Sequence, residues 1–259
     1  MQKVALITGA SSGIGKELAK IHAKQGGDLV LVARRQKELE DLKFSLETNY
    51  SIKVETIVKD LSKVNSASEL YEEVKSKNIE VEYLINNAGF GLRGKFHELS
   101  WDRQQQMINL NMMALTELTY LFLPQMIKRD SGKILNVSST ASFMPGPLQA
   151  IYFATKAYVT FFSNALSEEL YDKNITVTNL MPGATETEFA KTSGMDKTDL
   201  FDKTVSAKSV AEDGYMAMLR GDIDIVSGLT FSQKLMMGAI PFTPKKVMLK
   251  QIRQMQEVK

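Results

Sequence analysis

Val4-Ala5-Leu6-Ile7-Thr8-Gly9-Ala10-Ser11-Ser12-Gly13-Ile14-Gly15 is the stretch that decides how this chain folds. A short apolar run ended by glycine reads as a buried strand. After Gly13 the period changes. Ile14, Leu18, Ala19 and Ile21 fall at helical spacing, and Gly26-Gly27 stops the pattern. Working outward, the same alternation recurs. Residues 29–33, 54–58, 81–85, 133–138 and 175–180 read as further strands, and 223–226 as a seventh. Helical patterns over 37–46, 66–77, 100–128, 152–170 and 207–219 lie between them, the second opened by a Ser66/Glu69 capping box. Apolar strands separated by helices predict an α/β fold, a doubly wound parallel sheet of about seven strands with helices on both faces in three layers. The length, 259 residues, and the absence of internal repeats or a Pro/Ser linker predict a single domain over 1–259.

Composition narrows the function. Lys and Arg number 32 against 30 Asp and Glu, a balance that argues against a nucleic-acid partner. There is no cysteine, which excludes disulfides, thiol catalysis and cysteine-ligated metals, and His22 and His97 cannot build a His-rich metal site. No metal is expected. One lysine before four apolar residues is too short for a signal peptide, and no run approaches the ~20 apolar residues of a membrane span, so a cytoplasmic location is expected.

In a parallel sheet, ligands bind beyond the carboxyl ends of the strands. The turn after the first strand has the spacing G-x-x-x-G-x-G. Gly9 permits the tight turn, Gly13 lets backbone approach a pyrophosphate, and Gly15 lets helix and strand pack closely. The N–H groups of the residues around Ser11, Ser12, Gly13 and Ile14, at a helix N-terminus, favour phosphate. The same glycines would also serve a purely structural turn. Arg34 and Arg35 end the second strand where an NAD site would carry an acid. Guanidinium pairs with a 2′-phosphate, which favours NADP(H), although two solvated arginines are the plainer alternative. Asp60-Leu61, after the third strand, either accepts from an adenine amino group or is a surface acid before a helix. Asn86-Asn87-Ala88-Gly89 follows the fourth strand, where asparagines tie strand ends together and Gly89 leaves room for a cofactor.

Tyr152 and Lys156 lie four apart on one helix face. An ammonium nearby is expected to lower the phenol from its usual pKa of about 10, fitting it for proton transfer to a carbonyl or from an alcohol. Ser139, after the fifth strand, is placed to hold the same oxygen.

Thr8–Gly15, Asn86–Gly89, Ser139, Tyr152, Lys156 and Pro182-Gly183 together resemble the short-chain dehydrogenase/reductase family, over residues 3–190. The resemblance implies a Rossmann-type, nucleotide-binding oxidoreductase that moves a hydride between the nicotinamide of NADP(H) and a small-molecule carbonyl or alcohol. It implies Tyr152 as general acid/base, Lys156 as its tuner and ribose ligand, Ser139 as carbonyl orienter and Asn111 as holder of a relay water. Thr187 is implied as a carboxamide ligand, with Pro182, Gly183 and Thr185 beside the ring. A homo-oligomer, dimer or tetramer, is implied too. The family's Asp-Gly-Gly segment is absent after Gly228, which favours a dimer through the helices near Ser100 and Tyr152.

Residues 183–206 lack a clear period and read as a substrate lid loop. Residues 229–259 form a divergent tail, basic and amphipathic from Pro244; packing on the domain is favoured over membrane contact. Met216, Met218, Met236 and Met237 are candidates for an apolar pocket or for ordinary core. A non-catalytic NADP(H) sensor on the same fold is the alternative function, and the complete Ser139–Tyr152–Lys156 set argues against it.

Overall fold

Side chains alternate across a strand, and the first strand shows why the sheet is covered twice. In the computed structural model, which describes residues 3–196, 198, 201 and 204–257, β1 (Val4–Thr8) sends Ala5 and Ile7 into one core cluster and Leu6 into another. Both clusters need helices. The chain continues through α1 (Gly13–Lys24), β2 (Leu29–Ala33), α2 (Gln36–Asn49), β3 (Val54–Val58), α3 (Ser66–Ser76) and β4 (Val81–Asn86). α4 (Trp101–Ile108) runs through a π-helical turn, Asn109–Ala114, into α5 (Leu115–Arg129). Then come β5 (Gly132–Val137), α6 (Ala150–Glu169), β6 (Ile175–Pro182), β7 (Thr185–Glu186), α7 (Phe189–Ser193), β8 (Val205–Ser206), α8 (Ala207–Arg220) and β9 (Asp224–Ser227). Two helices close the chain, α9 (Phe231–Ala239) and α10 (Lys245–Gln256).

Seven strands form one parallel sheet in the order β3-β2-β1-β4-β5-β6-β9. Leu18, Leu39, Tyr215 and Met218 of α1, α2 and α8 pack on one face, and Leu70, Leu118, Phe122 and Met126 of α3 and α5 on the other. Burying each such side chain contributes about 1.5–3 kcal/mol. The strand order reverses between β1 and β4, which opens a crevice beyond their carboxyl ends.

Some local readings are corrected. Ser66 is not a cap. Asn65, in the left-handed region at φ 64, precedes the helix, and the Ser66 hydroxyl donates to the Lys63 carbonyl at 2.7 Å. The long pattern over 100–128 conceals the π turn, because widening one turn barely disturbs the apolar spacing. Trp101 is 57% exposed at the start of α4. The segment 183–206 holds a small parallel pair, β7 with β8, and α7, while its residues 197, 199, 200, 202 and 203 lie outside the described set. In the tail, Thr230 and Gln233 cap α9 reciprocally, and α10 buries Met248, Ile252 and Gln256. Met216 and Met218 do not line one pocket. Met218 is in the core beneath α8, Met216 is half exposed, and the Met236 side chain lies outside the described set.

Candidate active site

The turn between β1 and α1 is held from the β4 side. Gly9 and Gly13 have φ +68° and +53°, conformations that favour glycine. A Cβ on Gly9 would lie 3.0 Å from the Ala88 backbone, and one on Gly15 would lie 2.5 Å from both the Gly9 carbonyl and Asn87 Nδ2. Asn87 Nδ2 donates to the Thr8 carbonyl at 2.8 Å, and the Thr8 hydroxyl accepts from the N–H groups of Asn87 and Ala88 at 3.0 Å. Asn86 reaches Asn136 across to β5 at 2.9 Å. These bonds fix the crevice edge before any ligand arrives. Ile14 and Leu61 pack into the two cores.

The start of α1 has no side-chain cap and no acid in its first turn. Its leading N–H groups and positive dipole end are therefore free for an anion. Arg35 lies against this turn, with Nε and Nη2 donating to the Ser11 hydroxyl at 3.3 and 3.1 Å. Arg34 is exposed and adds its charge near Asp60. Burial raises the Asp60 carboxyl, but two bonds from Ser62 and the charges of Arg34 and Lys63 outweigh it and hold the group below its usual value. Together these features fit a phosphate-bearing dinucleotide with an extra anionic group.

Glu188 gave no sequence signal. It pairs with Arg35 at 3.0 Å across a separation of 153 residues, and this bond holds its carboxyl below the usual range, with burial opposing and Ser12 assisting. Next to it, Thr187 lies over the turn, its Cγ2 2.9 Å from where a Gly13 Cβ would be, and its hydroxyl accepts from Phe189 N–H at 3.2 Å. Thr185 turns inward to donate to the Gly183 carbonyl at 2.9 Å, and Gly183 N–H donates to the Ser227 carbonyl at 2.9 Å, so both serve the local backbone here. Pro182 ends β6 beside them.

Tyr152, Lys156 and Ser139 converge beyond β5. Tyr152 and Lys156 are buried on the first turns of α6, and Ser139 caps the short turn after β5 by accepting from Ala141 N–H at 3.1 Å. Burial pushes the Tyr152 phenol up to about 12, with the Ser139 hydroxyl offsetting part of the rise. This corrects the expectation of a lowered value. Lys156 Nζ sits 5.9 Å from the phenol ring centroid and donates to the Val137 carbonyl at 2.8 Å, and burial brings its own pKa down to about 8. Desolvation of both groups outweighs the charge of one on the other. Asn111 sits in the π turn. Its amide bonds Phe90 N–H and carbonyl and donates to the Thr155 hydroxyl, linking the β4 loop to α6. Gly89 faces both, since a Cβ there would lie 3.2 Å from Asn111 Oδ1 and 3.5 Å from Lys156 Nζ. Phe90, Leu92, Met144, Phe189 and Ile240 pack around the cluster that contains Tyr152.

The family model described as short chain dehydrogenase matches residues 3–198. The chain belongs to the short-chain dehydrogenase family. The very-long-chain 3-oxoacyl-CoA reductase of Mus musculus is 35% identical over 193 residues, which cover 72% of this chain and 61% of that protein. The chain thus matches about three fifths of the length of such curated relatives. Among solved structures, a short-chain dehydrogenase from Sphingobium yanoikuyae in complex with NADPH superimposes with TM-score 0.83 at 30% identity, covering 95% of this chain and 94% of that one. The bulky-bulky ketone specific alcohol dehydrogenase from Comamonas testosteroni follows with TM-score 0.79 at 28% identity, covering 99% and 95%. The Rossmann-type α/β reading and the family resemblance are both borne out.

Proposed function

We propose that the chain is an NADP(H)-dependent carbonyl reductase, and the observation that carries this is the Ser139–Tyr152–Lys156 set, with Tyr152 and Lys156 buried, opening on the same crevice as the uncapped α1 turn. Gly9, Ser11, Ser12, Gly13, Ile14 and Gly15 hold the pyrophosphate side, Arg34 and Arg35 the 2′-phosphate, and Asp60, Leu61, Asn87, Ala88 and Gly89 the adenosine and crevice floor. Pro182, Gly183, Thr185 and Thr187 flank the ring, and Lys156 binds the adjacent ribose. When bound, the dinucleotide supplies the hydride. Tyr152 Oη gives its proton to the carbonyl oxygen while Ser139 Oγ orients that oxygen. A phenol held near 12 keeps its proton at neutral pH, as the donation step requires. Asn111, fixed to the π turn and Phe90, anchors the β4 loop beside this proton path.

The apolar surround of Tyr152 suits a bulky or long-chain ketone, in keeping with the 3-oxoacyl-CoA reductase relatives and the ketone-specific alcohol dehydrogenase neighbour. NADPH oxidation against a panel of ketones, aldehydes and 3-oxoacyl thioesters tests the proposal. Tyr152→Phe should remove turnover and spare NADPH binding; turnover surviving in that variant would place the acid elsewhere. A homodimer is proposed through α5 and α6. Tyr120 is exposed on α5 and Met113 in the π turn before it, Ala154, Phe161 and Ala165 are exposed on α6, and Tyr158 joins the helices through Thr116 at 2.9 Å. Light scattering should show a dimer that Phe161→Glu dissociates; a monomeric parent refutes it.

A further inference from the structure

We propose that the outer face of the C-terminal helical cap docks on an anionic lipid surface. α10 has two working faces. Met248, Ile252 and Gln256, spaced i, i+4, i+8, are buried, and the first two join the cluster that holds Tyr152 and Phe153. The end of the helix is pinned to the site side by Arg93, whose Nη1 donates to the Gln256 carbonyl at 3.1 Å and whose Nε donates to the Gly194 carbonyl at 2.9 Å. Lys246, Lys250 and Arg253, spaced i, i+4, i+7, form a different, exposed stripe. Lys245, Lys246 and Lys250 make no ion pair among the described residues, and Arg253 meets Glu257 at 3.4 Å.

Charge is segregated along the chain. Residues 228–256 contain no Asp or Glu but carry Lys234, Lys245, Lys246, Lys250 and Arg253. The whole chain nets only +2, so the remainder is net negative. Apolar side chains accompany the cations. Phe242, in the turn just before α10, is 88% exposed, Leu235 on α9 is 69% exposed, and Val247 is about half exposed. An acidic protein surface would satisfy the lysines and leave Phe242 and Leu235 without a partner. A bilayer surface with anionic headgroups satisfies both, the pattern of an interfacial amphipathic helix. Among the described residues no helix is long and apolar enough to cross a membrane, and the contact proposed is one of a helix lying on the surface. Because the inner face of the same helix packs on the Tyr152 cluster, docking would bring that cluster close to lipid-dissolved molecules.

Flotation of the full chain with phosphatidylcholine vesicles, with and without phosphatidylglycerol, tests this independently of turnover. The parent should float with the anionic vesicles, less so at high salt. Lys246→Glu/Lys250→Glu should lower the bound fraction by about tenfold or more, and Phe242→Ser should weaken binding while NADPH binding and thermal unfolding stay as in the parent. The proposal is overturned if the parent does not float with anionic vesicles, or if the double charge reversal floats as well as the parent. It is equally overturned if Phe242→Ser breaks an oligomer in vesicle-free light scattering, which would make this face a protein interface.

Discussion

Arg35 and Glu188 set opposing forces on a 2′-phosphate, and their magnitudes can be separated. Arg35 touches the phosphate-binding turn through Ser11 at 3.1 and 3.3 Å, and both carboxylate oxygens of Glu188 lie within 3.0–3.1 Å of its Nη1. Glu188, whose carboxyl Arg35 holds below its usual value, is anionic at neutral pH. An arriving phosphate must therefore share or displace this partner. A charge-assisted hydrogen bond contributes about 1.5–3 kcal/mol net. Arg35→Ala should thus weaken NADPH binding by roughly tenfold to 150-fold and leave NADH nearly unchanged. The Arg35–Glu188 pair is well exposed on both sides, so it is worth only about 0.2–1 kcal/mol. Glu188→Gln should then tighten NADPH binding, by up to about fivefold at low salt. Protonating Glu188 in acid should act in the same direction as that substitution. Calorimetric titration of both nucleotides against the three proteins gives the answer. Equal losses for NADPH and NADH in Arg35→Ala would mean that the arginine only braces Ser11, and the selectivity argument would fall.

Lys156→Met should stabilise the protein in a pH-dependent way. The parent lysine has a folded pKa of about 8, below its ordinary value of 10.5, so parent stability is lost as pH falls from 10.5 toward 8 and is level below that. The stability advantage of the variant should widen by about 3 kcal/mol across that window, and a gap that stays constant in denaturant melts from pH 8 to 10.5 would contradict the buried ammonium. Gly15→Ala should cost about 1–3 kcal/mol, because the new methyl meets the Gly9 carbonyl as well as Asn87. A thermal midpoint equal to the parent's would show that α1 is not packed that tightly on the turn.

How much was legible in the sequence depended on how local the signal was. Leu6, Ile7, Val30 and Leu31 are buried on both faces of one sheet, and that continuous burial is what makes a strand of a parallel sheet readable as an apolar run. The strand ends were off by a residue or two, since pairing continues past the apolar stretch, as at Met181 and Pro182 with β9. The Ser66 box failed because Asn65, in a left-handed conformation, holds the cap position and the helix starts one residue earlier than the motif assumes. Glu188 was invisible because its partner is 153 residues away and no spacing rule links them. The tail was legible as amphipathic, but its two faces separate only once Met248 and Ile252 are seen beside Tyr152.

The pair at the centre of the site shows where spacing is insufficient. Four residues on a helix place Lys156 near Tyr152, and proximity alone predicts a lowered phenol pKa. Burial acts on both groups at once and in opposite directions, raising the acid to about 12 and lowering the ammonium to about 8. In the resting site the ammonium is spent on the Val137 carbonyl, 5.9 Å from the ring centroid. Its charge therefore matters most after proton donation, when a phenolate forms in the same buried volume. There the attraction between unlike charges is strengthened by the low local dielectric that penalised each alone. Stabilising that phenolate and lowering the phenol pKa are the same free energy, so in the resting site burial outweighs what Lys156 contributes to either.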